Sequence, residues 1–192
     1  MYFVLDRSWA MNPARVHDRG SYDRQGVWWN DGTLITAELK LPITMKLRPF
    51  EPKSPDESAK LPAMFKGPVP FFRDDLIAAL RAGGADNLQC FEAQVIDPDD
   101  GQVHSNYKAV NIIGMMAAAD MEKSKWSAPD GMAVIDVAFD QLVIDGAKAK
   151  GQLLFRLAEN NAAVLVHVAL RNHLIKAGFA ELEFHDPGEI AL

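Results

Sequence analysis

The sequence has a single cysteine, Cys90, so neither an internal disulfide nor a cysteine-rich zinc cluster is available to it. A reducing compartment suits such a chain, and a cytoplasmic location is expected. Long apolar runs are also missing. The longest, Ile112 to Ala119 with Gly114 counted in, is far short of the ~20 residues that span a bilayer. The opening Met1-Tyr2-Phe3-Val4-Leu5 meets Asp6 and Arg7 before a signal-peptide apolar region can form, so export by its own signal is not expected, and no membrane partner either. Positive charge is in deficit: 20 Lys plus Arg stand against 26 Asp plus Glu, a formal net charge of −6. That is the wrong sign for neutralising phosphates and argues against a nucleic acid partner. The sequence contains no Gly-x-Ser-x-Gly elbow, no His-Glu-x-x-His, no phosphate loop and no dinucleotide glycine fingerprint. Four common carriers of catalysis are thus missing, and no cofactor or metal is expected. No unit of ~20–50 residues recurs, which leaves no basis for a repeat array.

What is present is an ordinary globular composition over 192 residues, 48% hydrophobic and 24% charged. A domain of this length buries roughly 70% of the surface its unfolded chain exposes, enough for one well-filled core. The charge is divided unevenly, net +1 over residues 1–86 and net −7 over 87–192. An acidic C-terminal half keeps the chain soluble, and it would also steer a basic protein partner.

Local patterns divide the chain into short elements. Tyr2 to Leu5 reads as a first strand and Asp6 to Gly26 as a loop or short helical turns. Val27-Trp28-Trp29 and Thr33 to Leu39 flank Asn30-Asp31-Gly32, whose Asp-Gly pair suits a tight hairpin. Six prolines between Pro49 and Pro70 each remove a backbone donor and mark a surface connection. A helix is expected over Phe72 to Gly84, with Asp74 and Asp75 at its positive end, Arg81 at its negative end, and Leu76, Ile77 and Leu80 facing inward. Leu88 to Ile96 and Val103 to Ile113 read as strands joined by the turn Asp97-Pro98-Asp99-Asp100-Gly101. Further strands are expected over Val134 to Phe139 and Leu142 to Ile144, and apolar segments at Leu153 to Leu157 and Ala163 to Val166. A helix over Val168 to Ala177, capped by Gly178, precedes a half-buried strand at Glu181 to Phe184. The fold class is α+β: a mixed, antiparallel-rich sheet with a few packed helices, open to a division into two lobes. The division would set a Trp- and Pro-rich strand-and-loop lobe over residues 1–67 against an α+β region over 68–192.

Several residues invite a chemical role, and most have a plainer one. Asp97, Asp99 and Gly101 hint at a calcium loop, but the glycine falls at the fifth position instead of the sixth and Lys108 at the twelfth repels a cation. His167 and His173 are six apart, about 240° round a helix of ~3.6 residues per turn, so one face cannot bring both to a metal. His167 is expected to cap or enter its helix and His173 to lie on its surface. Among Asp120, Asp136, Asp140 and Asp145 no spacing singles out an acid/base pair; Asp136 is expected to face outward and Asp145 to cap a helical turn. Trp9, Trp28 and Trp29 share the N-terminal region with Arg7, Arg15, Arg19 and Arg24, but Asp6, Asp18, Asp23 and Asp31 nearly cancel that charge. Core packing or a protein interface is therefore the better account of the rings, with Trp28, Trp29 and Trp126 as candidate interface aromatics. Arg156 lies inside an apolar strand and must face solvent or pair with a carboxylate. Asp120 or Glu122 is the expected partner, which would let Arg156 tether the Asp120 segment to the C-terminal sheet.

Tyr107-x-x-Val110-Asn111-Ile112, Asp120-Met121-Glu122-Lys123-Ser124 and Leu154-Phe155-Arg156-Leu157-Ala158-Glu159 follow one another in order, with an aspartate-containing apolar strand before the last. Val164 to His167, Leu170, Leu174, Gly178 and Phe184 continue the pattern, and Tyr2 to Leu5 and Asp86-Asn87-Leu88-Gln89 precede it. In these pieces the chain resembles the Imm11 immunity-protein family. The resemblance spans roughly the last two-thirds of the chain and its opening strand and leaves the Trp- and Pro-rich region without a counterpart. It implies a bacterial protein of a polymorphic or contact-dependent toxin system that binds and neutralises a cognate toxin domain encoded nearby, with no catalysis of its own. A second reading is an uncharacterised enzyme or small-ligand-binding domain with a polar pocket around Asn111, Asp120 and Arg156. Self-assembly into a homo-oligomer is left open by both.

Overall fold

Four consecutive buried side chains, Leu154 to Leu157, identify a strand covered on both faces, because successive side chains of a strand point to opposite sides. Two-sided burial of this kind organises the whole molecule. The structure, a computed structural model, describes residues 1–7, 15, 23–52, 60–128 and 136–192. Trp9, Asp18, Arg19 and the start of the strand expected from Val134 lie outside the described residues. In chain order the first elements are β1 (Tyr2–Arg7), β2 (Ile43–Lys46), β3 (Met64–Phe65), β4 (Phe71–Arg73), α1 (Asp74–Ala82), β5 (Leu88–Ile96) and β6 (Val103–Ile112). They are followed by β7 (Met115–Met116), β8 (Lys125–Ser127), β9 (Ala138–Gln141), β10 (Leu154–Leu157), β11 (Val164–His167), α2 (Val168–Lys176) and β12 (Leu182–His185). No helix among the described residues is long and apolar enough to cross a membrane.

The strands form two five-stranded sheets, β12-β1-β11-β10-β7 and β2-β5-β6-β4-β3, and a small ribbon β8-β9. Pairings are antiparallel except β10 with β7 and β2 with β5, so the fold is α+β and antiparallel-rich, as expected. Residues 1–67, read from sequence as a separate lobe, contribute β1 to the first sheet and β2 and β3 to the second. Both sheets therefore mix residues from either side of position 67.

Side-chain alternation sorts the core into three layers. Leu5, Leu154, Val164 and Val166 of the first sheet face Phe72, Val110 and Ile112 of the second, with Leu76 and Leu80 of α1 and Leu170 and Leu174 of α2 completing this central layer. Val4, Phe155, Leu157 and Leu165 point the other way, against Ala118, Val137, Phe139 and Leu142. On the far face of the second sheet, Met45, Phe71, Val95, Tyr107 and Ala109 pack under Trp29 and Ile35. Each such aliphatic or aromatic side chain contributes about 1.5–3 kcal/mol on burial.

The helices follow the expected chemistry with small shifts. α1 begins two residues later than its pattern suggests, because Phe71–Arg73 is taken by β4; Arg73 precedes the helix and grips Asp75 through two hydrogen bonds of 2.8 and 2.9 Å. Gly83 ends α1, and a Cβ there would lie 2.5 Å from Leu170 Cδ1, so the glycine also lets α2 approach. His167 caps α2 by accepting the Ala169 amide on Nδ1 at 3.3 Å, as its position suggested.

Three expectations fail. Asn30-Asp31-Gly32 does turn, with Gly32 at φ +71, but no strands flank it, because the segment spends its backbone groups on side chains of the sheet beneath. The strand expected over Val134 to Phe139 is β9, shifted toward the C-terminus, since the exposed Asp136 takes φ +53, outside strand geometry. Leu142 to Ile144 forms only a single bridge, Ile144 to Ala119.

Asn87 holds the two sheets together. Its Nδ2 donates to Ile113 O at 2.7 Å, just beyond β6, and to Leu154 O at 2.9 Å in β10. Replacing Asn87 by Leu leaves both carbonyls without this donor and should lower stability by about 1–3 kcal/mol. Urea unfolding should show a lower midpoint with an unchanged slope; an unchanged midpoint would mean the amide does not join the sheets.

Candidate functional site

Residues 25–40 form a closed loop. At its base Lys40 N–H donates to Gln25 Oε1 at 2.6 Å and Gln25 Nε2 returns a bond to Lys40 O at 2.9 Å. Inside, Trp29 is 1% exposed, with its indole N–H on Arg24 O and its ring edge-on to Phe91. Ile35 exchanges two backbone bonds with the Gln89 side chain, at 2.9 and 2.8 Å. Compact loops with tied ends and their own packed interior are often functional. The solvent side of this one presents Trp28, 75% exposed, and Leu34, 64% exposed.

Asn111, expected in a polar pocket, belongs to the same fastening. It is fully buried opposite Gln89 on the paired strand, and its Nδ2 donates to Thr33 O at 2.6 Å and to Gln89 Oε1 at 3.2 Å. Gly32 is the tightest point, since a Cβ there would lie 3.0 Å from Gly114 C and Met115 N. Gly114 N–H donates to Gly32 O at 2.8 Å, and Gly114 O accepts from Arg156 N–H at 3.3 Å. The loop is thereby stitched to the strand that carries Arg156.

Arg156 is 3% exposed and lies on the central face of β10, the same side as Leu154. It borders a cavity of about 320 Å³ between the two sheets, with Leu5, Met64, Phe72, Ile112 and Val164 among its walls. Asn30 and the segment Lys66-Gly67-Pro68 enclose it from the loop side. The Arg156 Nη1 donates to Asn161 O at 2.9 Å, and its Nε has no partner among the described residues. No carboxylate among the described residues forms an ion pair with it. Burial pushes its pKa down to about 10, against a weaker opposing pull from Asp31, and it remains a cation at neutral pH. Nearby, Asn30 Nδ2 reaches Gly67 O at 3.4 Å, while Asn30 Oδ1 is buried without a partner among the described residues. Lys66, on the same rim, pairs with Asp6 at 3.2 Å.

The proposed tether between Arg156 and Asp120 is therefore corrected. The Asp120 carboxylate accepts from Lys123 at 2.6 Å, and that contact, with the Lys123 and Glu122 amides, outweighs desolvation and lowers its pKa. Glu122 is exposed. The Asp120 segment is held instead by Glu159, 6% exposed, whose Oε1 accepts the Ala119 amide at 3.3 Å. Asn111, Asp120 and Arg156 thus serve three separate places and do not converge on one pocket. Of the candidate interface aromatics, Trp29 is core, and Trp126 is half-buried with its N–H on Met121 O at 3.1 Å. Only Trp28 is presented to solvent.

A second charged cluster lies at the β5–β6 turn. The buried Arg15 guanidinium pairs with Asp97, and with Asp99 at 2.7 Å, while its Nε donates to Arg48 O. Asp97, Asp100 and His104 bring ligand atoms within 4.8 Å of one another, but Arg15 already supplies the positive charge at Asp97. Gly101, at φ +67, donates to Asp97 O at 3.0 Å and closes the turn as the sequence suggested. Arg15, Asn30 and Glu159 were not singled out from sequence. Arg15 sits in a stretch read as a loop, Asn30 entered only as part of a turn, and Glu159 only as the end of a family-like motif.

No protein-family model matches the chain, and no curated protein sequence matches it.

The Arg15 clasp gives a pH-dependent stability. Burial works to raise the Asp97 carboxyl, but the Arg15 hydrogen bond, the Asp99 amide and the Arg15 charge outweigh it, so the folded pKa lies below the ordinary value. A depressed carboxyl stabilises the fold above its unfolded pKa of about 3.9 and loses that contribution as pH falls through the folded value. Asp97→Asn should be less stable than the wild type at neutral pH, and the gap should narrow below about pH 4. Thermal melts across that range test this; a gap that does not change with pH would refute it.

Proposed function

We propose that the chain is a binding protein of the immunity type, which docks on a bacterial toxin domain encoded beside it and neutralises that domain by occupancy. The observation that supports this most is Trp28. A tryptophan three-quarters exposed is an unusual use of a large apolar ring, and this one stands on a loop fixed by Gln25, Gln89, Asn111 and Gly32. A rigidly presented aromatic loses little conformational freedom on docking, which is why such residues dominate binding energy at interfaces. Leu34 on the same loop widens the apolar patch, and the net −7 of residues 87–192 suits a basic partner. The resemblance to the Imm11 family agrees with this reading. The alternative of a small-ligand-binding domain draws support from the cavity at Arg156, which is independent of the loop surface.

The test is affinity for the neighbouring toxin domain together with protection of cells that express it. Trp28→Ala should weaken binding about thirtyfold, equivalent to ~2 kcal/mol, and abolish protection with the melting temperature unchanged. Trp29→Ala should instead cost about 3–5 kcal/mol of stability. Undiminished binding by Trp28→Ala, or no binding to any neighbouring toxin domain, would overturn the proposal.

A further inference from the structure

We propose that the cavity between the two sheets is a binding site for a small amphiphilic monocarboxylate, its apolar tail against Leu5, Met64, Phe72 and Val164 and its carboxylate on Arg156. The volume of about 320 Å³ lies at the lower end of the ~300–1,000 Å³ occupied by small-molecule sites. Such sites combine a mainly apolar wall with a few polar groups that orient the ligand. Here the wall is built from both sheets, and among the described residues that line it the one buried charge is the Arg156 guanidinium.

Arg156 is poorly explained by packing. Strand alternation puts it beside Leu154 in the central apolar layer, where a leucine or methionine would fill the space. A buried cation with no carboxylate partner is destabilising, and its replacement by an apolar side chain of similar volume is commonly neutral or stabilising. The free Nε completes the argument, because it is a buried donor awaiting an acceptor. The guanidinium fork matches a carboxylate in shape and charge. Lys66 on the rim is paired with Asp6 and Asn30 Oδ1 offers only a lone-pair acceptor, so a second carboxylate would meet no complement. This inference rests on the cavity and not on the protein-binding reading.

Calorimetric titration with octanoate, 1-octanol and acetate tests it, since these share the tail, the head or both. Octanoate should bind saturably, one per chain, at least about tenfold more tightly than 1-octanol or acetate. Arg156→Met should remove the preference for octanoate over 1-octanol while its melting temperature stays equal to or above that of the wild type. Ala162→Phe at the exposed cavity rim leaves Arg156 in place and should also abolish octanoate binding, which covers the case in which Arg156→Met fails to fold. Trp28→Ala should bind octanoate as the wild type does, so failure here and failure of the docking proposal are separable. Equal affinity for octanoate and 1-octanol, octanoate binding retained in both cavity variants, or no saturable binding in the millimolar range would overturn the assignment.

Discussion

Covering both faces of both sheets is the constraint on which the rest depends. Two sheets need three apolar layers, and the central one is shared by strands and by both helices. With so little sheet surface left wet, backbone groups at the strand ends and in the covering loop have no water to turn to. Side-chain amides take that role. Asn87 bridges β6 and β10, while Gln89 and Asn111, paired across β5 and β6, hold the backbone of residues 33–35. Asn111 is fully buried and Asn87 and Gln89 partly so, and their hydrogen bonds replace hydration that the architecture removes.

Arg156 is a buried charge set beside an otherwise apolar layer, and its surroundings make that placement informative. Every other central-layer position of β10 and β11 is aliphatic, and the space before Arg156 is open. Glu159, three residues further on and past the end of β10, is also buried, and its Oε1 accepts the Ala119 amide. The covering loop touches both features of interest. Trp28 faces out, Asn30 faces the cavity, and Gly32, two residues further on, abuts the backbone at Gly114.

Much of the fold was legible because short-range physics decided it. β5 and β6 matched their apolar patterns, since nine and ten residues of strand carry a clear signal, and their turn carried Pro98 and Gly101 at the needed places. Both helices were visible through dipole-compatible charges and inward leucines. Residues 27–39 misled because an Asp-Gly turn between apolar residues has the same local signature whether its flanks pair with each other or lie on a sheet. Only Gln89 and Asn111, more than fifty residues away, decide between these. The site was half legible for the same reason. That Arg156 needed an unusual environment followed from its neighbours in sequence, whereas the identity of that environment depended on which face of β10 met the second sheet. Asn30 became a cavity residue solely through tertiary placement.

The topology also sets an order of assembly. β1 is an interior strand, hydrogen-bonded on one side to β11 and on the other to β12. Both of its partners lie far along the chain, β1 opening at Tyr2 and β11 at Val164, and non-local pairings of this kind are intrinsically slow to form. During translation the second sheet has its strands in hand well before the first does. Until β11 and β12 follow, the apolar Tyr2-Phe3-Val4-Leu5 has neither of its strand partners, and an unpaired apolar strand of this kind is prone to aggregate.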